Sequence, residues 1–286
     1  MAGKVGLEQG PLDARSLEVA EKELRETPEQ VQQSLAELKE LLAADTTLRF
    51  DTSDDFLIMF LRPTKFYAKS AYDLLKRIAD FRKSQADILK GVSPLAEKDA
   101  FLNTKVLNVL VDRDQHRRRI LTMNIGDAWN PSTLDTDHFF RVLYLIHFGA
   151  MMEPMTQVHG AVIIMDFNNL GFKQARAFTP TFAFRLLTFI QKAMPIRLKA
   201  IHIVFQPMLF KMIWQLFKPL IEEKLSKRIF FHGKDMKSLH KHIDPQCLPR
   251  VYGGEKGEID YGSAEWFAIF AQHDETVKEW QSYGYI

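Results

Sequence analysis

The hydrophobic and polar positions of this chain fall into two textures that meet near residue 103. From residue 12 to residue 102, leucines and other apolar residues recur three and four apart, the spacing of one helix face. VQQSLAELKELL after Thr27-Pro28, DDFLIMFLR behind Asp51, and FYAKSAYDLLKRIADFRKS each predict an amphipathic helix. Gly91 and Pro94 punctuate the end of this block. Beyond it, short β-rich runs alternate with helical ones. VLNVLVDRDQHRRRILTMNIG holds two such runs around a charged turn, a hairpin or an adjacent strand pair, and His116–Arg119 reads as a solvated turn. TDHFFRVLYLIHFGAMM predicts a helix, and GAVIIMDFNNLG a strand buried on both faces. FTPTFAFRLLTFIQKAM predicts a helix from near Pro180, RLKAIHIVF and KRIFFHG two strands, and YGSAEWFAIFAQHDETVKEWQ a C-terminal helix. Strands alternating with helices specify an α/β fold with a mostly parallel sheet and crossover helices. The organisation expected is an all-helical domain at 12–102 and an α/β domain with its C-terminal helix at 103–286.

One segment stands out. In PMLFKMIWQLFKPLIEEKL, Pro207–Leu225, a helical wheel puts Leu209, Ile213, Leu216, Phe217 and Leu220 on one face, widened by Phe210, Trp214 and Ile221. Pro219 removes the donor for the Gln215 carbonyl, which predicts a kink. A crossover helix covering the sheet needs such bulk, and so does a helix that meets a bilayer.

Charge sharpens the choice. The 286-residue chain carries a net +2, so no global field favours nucleic acid. Between Lys192 and Arg228, eight basic residues face only Glu222 and Glu223, a local +6. A bulky apolar helix beside such a surface suits an anionic bilayer, at about 1 kcal/mol per basic residue near it. Composition, with 46% hydrophobic and 26% charged residues, is that of a globular protein with a substantial core. The single cysteine, Cys247, excludes an intrachain disulfide and suits a reducing cytosol. The N-terminal stretch lacks a signal-peptide run, Ala2 stands where N-myristoylation needs glycine, and no long charge-free apolar stretch predicts a membrane span. The expectation is a cytoplasmic protein that touches membranes transiently.

No dinucleotide fingerprint, phosphate-loop lysine, nucleophile elbow or HExxH is present, so neither catalysis nor a cofactor is expected. His232, His240, His242 and Asp244 invite a metal site, but His240 and His242 point to different faces of a helix and no cysteine ligand joins them. Asp166, ending a buried strand, reads as a turn cap.

Three quoted stretches carry a family resemblance. DDFLIMFLRPTKFYAKSAYDLLKRIADFR resembles the helical N-terminal module of the CRAL-TRIO lipid-transfer family, and MPIRLKAIHIVFQPMLFKMIWQLFKPLIEEKLSKRIFFHG with LPRVYGGEKGE resembles its lipid-binding domain. The likeness covers roughly residues 28–275 and is greatest to the tocopherol- and retinaldehyde-carrying members. It implies a lipid pocket between the sheet and a mobile lid, with the Pro207–Leu225 stretch as the lid. By resemblance the pocket falls on Phe140, Leu143, His147, Ala161, Leu186, Phe189, Met194, Ile196, Leu198 and Ile201. The lid contacts fall on Phe210, Ile213, Trp214 and Phe217, and a phosphoinositide headgroup on Arg197, Lys199, Lys224 and Arg228. The family carries small hydroxyl residues where this chain has Leu143 and His147, and asparagine where it has Phe205. The function implied is binding and membrane-to-membrane transfer of a hydrophobic small lipid, tocopherol first and a retinoid or carotenoid second. A lipid-responsive sensor or scaffold without transfer activity is the other class.

Overall fold

The computed structural model describes residues 5–103 and 105–286, so Ala2 lies outside it. The helical block opens with α1 (Ala14–Leu24), capped by the Asp13 carboxylate on the Ser16 N–H, and α2 (Pro28–Ala44), capped by Thr27 on the Gln30 N–H. Next come α3 (Asp54–Leu61), with two aspartates in its first turn, and α4 (Ala68–Ser84). The short α5 (Ala86–Leu89) and α6 (Lys98–Leu102) complete it. The block is not purely helical: β1 (Leu48–Arg49) pairs antiparallel with β7 (Gly284–Tyr285) at the other end of the chain.

The main sheet runs β2-β3-β4-β5-β6. β2 (Leu107–Val109) and β3 (Arg119–Asn124) form the antiparallel pair. β4 (Ala161–Asp166), β5 (Leu198–Val204) and β6 (Ile229–Gly233) join in parallel. The crossovers are α7 (Thr136–Met151) with α8 (Pro154–His159), then α9 (Phe172–Ala177) with α10 (Pro180–Thr188), then α11 (Phe210–Phe217) with α12 (Glu223–Ser226). After β6 follow α13 (Met236–His240), α14 (Ser263–Phe270) and α15 (Asp274–Ser282).

Side chains alternate across the sheet. Register aligns Leu121, Ile163 and Ile201 in one row and Met123, Met165 and Ile203 in the next, all on one face. The opposite face presents Ile120, Val162, Ile164 and Ala200 to a compact second core with Leu239, Ile243, Leu248 and Tyr252. The larger core is continuous from α1 through α15.

Three expectations are corrected. Pro219 ends the helix rather than bending it: α11 stops at Phe217, Lys218–Leu220 tightens to a 3₁₀ turn, and Ile221 is extended. The C-terminal helix is broken by a 3₁₀ turn at Ala271–His273. Arg119 is not in a solvated turn. It lies buried against the equally buried Glu153, whose carboxylate also takes Arg113 at 3.0 Å, the Thr156 hydroxyl at 2.6 Å and the Glu8 N–H at 3.0 Å. Burial alone would raise the Glu153 carboxyl, but the two guanidiniums hold it below its ordinary range.

Replacing Glu153 with Ala leaves both guanidiniums in the core with only the half-exposed Glu8 carboxylate as an ionic partner. The expected loss is about 3–5 kcal/mol of stability, read by urea unfolding; a loss under about 1 kcal/mol would show that the cluster is solvated.

Candidate functional site

The face carrying Leu121 and Ile163 is incompletely filled. A first chamber of about 80 Å³ lies between it and Leu143, Ile146, His147 and Ala150 of α7, with Trp266 and Phe270 of α14 and Leu7 closing it. A second, of about 70 Å³, lies between Met123, Met165, Ile201 and Ile203 and the helices α10 and α11. Both fall short of the roughly 300–1,000 Å³ that ligand pockets occupy, so the side chains around them must part to admit a lipid. The wall between them is a π-helical turn, Phe189–Ala193, that continues α10. Ile190 on this turn lines both chambers.

The positions implied by the resemblance divide as follows. Leu143, His147, Ala161, Phe189, Met194, Ile196 and Leu198 line the first chamber, and Leu186 and Ile201 the second. Phe140 lines neither. Its buried ring packs edge-on against Phe189 at 5.7 Å, one layer behind the wall. Phe210, Ile213, Trp214 and Phe217 roof the second chamber, with Phe210 edge-on to Phe167 at 4.7 Å. The outer side of this roof mixes exposed Lys211 and Gln215 with apolar residues: Met208 is 75% exposed and Met212 46%, with exposed Phe231 beside Trp214.

Arg197, Lys199, Lys224 and Arg228 come together along one groove. Lys22, Lys65 and Arg77 of the helical block and Lys192 of the π turn join them, against two carboxylates, Glu23 and Glu222. Glu23 accepts from Arg197 at 2.7 Å and lies 3.4 Å from Lys199, while Glu222 pairs with Lys192. The groove shares Ile190, Met194, Ile196 and Leu198 with the first chamber, and Ile190 and Leu225 with the second.

Polar groups on the chamber walls are few. His147 Nδ1–H donates to the Tyr144 carbonyl, which fixes Nε2 as a lone-pair acceptor. Among the described residues Nε2 has no hydrogen-bond partner. Burial pushes the ring pKa down to about 3, so it is neutral at ordinary pH. Arg119 and Glu153 supply the other polar wall, and their groups satisfy each other. Sequence reading missed Arg119, Glu153, Leu7, Trp266 and Phe270. The two aromatics at helical spacing on α14 were a usable signal; the ion pair, 34 residues apart, gave none.

The other polar groups lie elsewhere. Asp166 accepts the Asn168 N–H at 2.8 Å as a strand-end cap. Phe205 packs in the core on the far face, outside both chambers, with φ +53°. His202 and His232 approach to 3.0 Å on that far face, while His240 bonds the Tyr252 carbonyl. Among the described residues no group of three or more His, Cys, Asp or Glu could hold a metal ion. Nor is any helix there long and apolar enough to cross a membrane.

This arrangement has known counterparts. Residues 103–254 match the family model described as CRAL/TRIO domain. A human protein named alpha-tocopherol transfer protein-like is 34% identical over 262 residues, covering 91% of this chain and 75% of that one, and its mouse counterpart matches to the same extent. Clavesin-2 of Rattus norvegicus is 30% identical over 273 residues, covering 93% of this chain and 81% of its own. The crystal structure of Sfh5 superposes with a TM-score of 0.51 at 15% identity, covering 94% of this chain and all of that one, a likeness of fold. An α/β sheet with apolar chambers on one face, matched over this span and by these relatives, makes the chain a member of the CRAL/TRIO domain family.

Proposed function

We propose that this protein binds a hydrophobic small lipid in the two chambers and carries it between membranes, without catalysing a reaction. Family membership and the names of its relatives support lipid binding in general. The observation that carries the transfer reading is the shared wall. The side chains Ile190, Met194, Ile196, Leu198 and Leu225 separate apolar space on one side from a basic groove on the other.

A tocopherol-sized lipid hides several hundred Å² of apolar surface, so releasing it into water costs on the order of 10 kcal/mol. A bilayer and a dry chamber shelter it about equally, and the aqueous gap is the barrier. A roof that opens only at the membrane removes that gap. Open, α11 exposes Phe210, Trp214 and Phe217 beside the exposed Met208 and Met212, a surface costly in water and favourable among headgroups. Arg197, Lys199, Lys224 and Arg228 supply charge for phosphoinositide headgroups, Arg by bidentate grip and Lys as point charges. Headgroup and bilayer, binding the open state better, shift its population. The protein then works in the cytoplasm and meets membranes peripherally and briefly.

For the cargo, a tocopherol-like alcohol is the first reading. His147 Nε2 accepts and cannot donate, so it favours a ligand hydroxyl over a carbonyl. The second reading, a retinoid or carotenoid, draws on the second chamber, where Phe139, Phe167, Phe178 and Phe182 join the three aromatic roof residues and suit a polyene.

Mass spectrometry of an organic extract should find a hydroxylated apolar lipid; an extract free of lipid would contradict the binding reading. Phe210→Asp or Trp214→Asp should cut vesicle-to-vesicle transfer at least about tenfold with the fold intact, since a charge in the roof costs over about 1.4 kcal/mol. Lys224→Ala with Arg228→Ala should slow transfer to phosphoinositide vesicles about thirtyfold and leave neutral vesicles unchanged, at about 1 kcal/mol per charge. His147→Phe should weaken binding of retinol or tocopherol about tenfold and leave retinaldehyde unchanged, while His147→Gln keeps most of the affinity. Wild-type alcohol binding should stay flat from neutral pH to about pH 5, because the ring protonates only toward about 3. A fall tracking an ordinary imidazole would show that His147 is solvated.

A further inference from the structure

We propose that Glu23 is a built-in counter-ion for the basic groove, occupying the place of a phosphate oxygen and yielding it when a phosphate monoester binds. The inference rests on the headgroup reading of that groove.

Glu23 is the penultimate residue of α1, in the helical block, while Arg197 and Lys199 flank the start of β5. One carboxylate oxygen of Glu23 serves both, at 2.7 Å from Arg197 and 3.4 Å from Lys199. A phosphate oxygen shared by the same two cations would need the same position. The rest of the groove is strongly unbalanced, with eight cations against two carboxylates. Of those cations, Lys65, Arg77, Lys224 and Arg228 have no ion-pair partner among the described residues. Glu23 is held below the ordinary carboxylate range, first by its hydrogen bond to Arg197, so it is charged at neutral pH.

The pair is half-exposed at Glu23 and therefore weak, on the order of 1 kcal/mol or less. It is strong enough to screen the groove from stray anions, and weak enough for a multiply charged headgroup to displace. Displacement also removes the Glu23 link between the last turn of α1 and β5, while buried Ala20 and Leu24 still pack that turn into the core. Occupancy of the groove is thereby transmitted to the helical block.

The test measures binding of full-length protein to phosphatidylcholine vesicles with and without phosphatidylinositol bisphosphate, and to soluble inositol trisphosphate. Glu23→Gln should bind the phosphoinositide vesicles about two- to fivefold more tightly. Glu21→Gln, an equal charge change on an exposed neighbour outside the groove, should stay at wild-type affinity. A gain shared by inositol trisphosphate assigns the competition to the phosphate ester itself; a gain on vesicles alone assigns it to the membrane-held headgroup. In either case hydrogen exchange in α1 should rise on binding in wild type. If Glu23→Gln matches Glu21→Gln while Lys224→Ala with Arg228→Ala still loses binding, the counter-ion idea fails and the groove reading stands. If that double variant binds fully, the groove reading falls and takes this inference with it.

Discussion

A mostly parallel sheet has to bury both of its faces, and this protein meets that demand in two different ways. The far face is closed by direct packing of Leu239, Ile243, Leu248 and Tyr252. The near face is covered by α7, α10, the π turn, α11 and α14, which stand off far enough to leave two apolar chambers. An interior normally packs as densely as an organic crystal, so chambers of this size have a cost that a bound apolar molecule would remove. The rest of the structure follows from that difference between the faces.

The groove and the chambers act on one set of side chains. Ile190 faces both chambers and the groove, from a turn wound more loosely than the helix before it. Arg77 of α4 donates to the Lys192 carbonyl on the same turn at 3.0 Å, so the helical block braces the partition. A charge placed in the groove and a molecule placed in a chamber therefore bear on the same few residues. Sub-ångström shifts there have two directions in which to be felt.

Much of this fold is legible in the sequence because alternation and helical spacing are local. The β4 and β5 runs, the antiparallel pair β2–β3 and the bulky α11 all declare themselves within a dozen residues. Nine of the ten pocket positions drawn from the resemblance line a chamber, since a shared fold preserves which face a residue occupies. Phe140 does not, because Phe189 takes the wall in front of it, a matter of ring packing that no spacing rule records. Arg119 reads as part of a charged turn because its partner Glu153 lies a whole crossover away. Pro219 announces that a helix cannot continue, and whether the chain bends or stops depends on what the next turn can pack against.

Phe205 follows β5 in the left-handed region, a conformation that costs a side chain with a Cβ about 1–2 kcal/mol and that asparagine tolerates better. It is held there by its N–H on the Gly233 carbonyl at 2.7 Å and by packing in the far core. Gln206 and Pro207 follow, and then the first turn of α11. The turn that leads into α11 is thus held in a strained conformation by the far core, so the side of the sheet remote from the chambers bears on the segment that covers them.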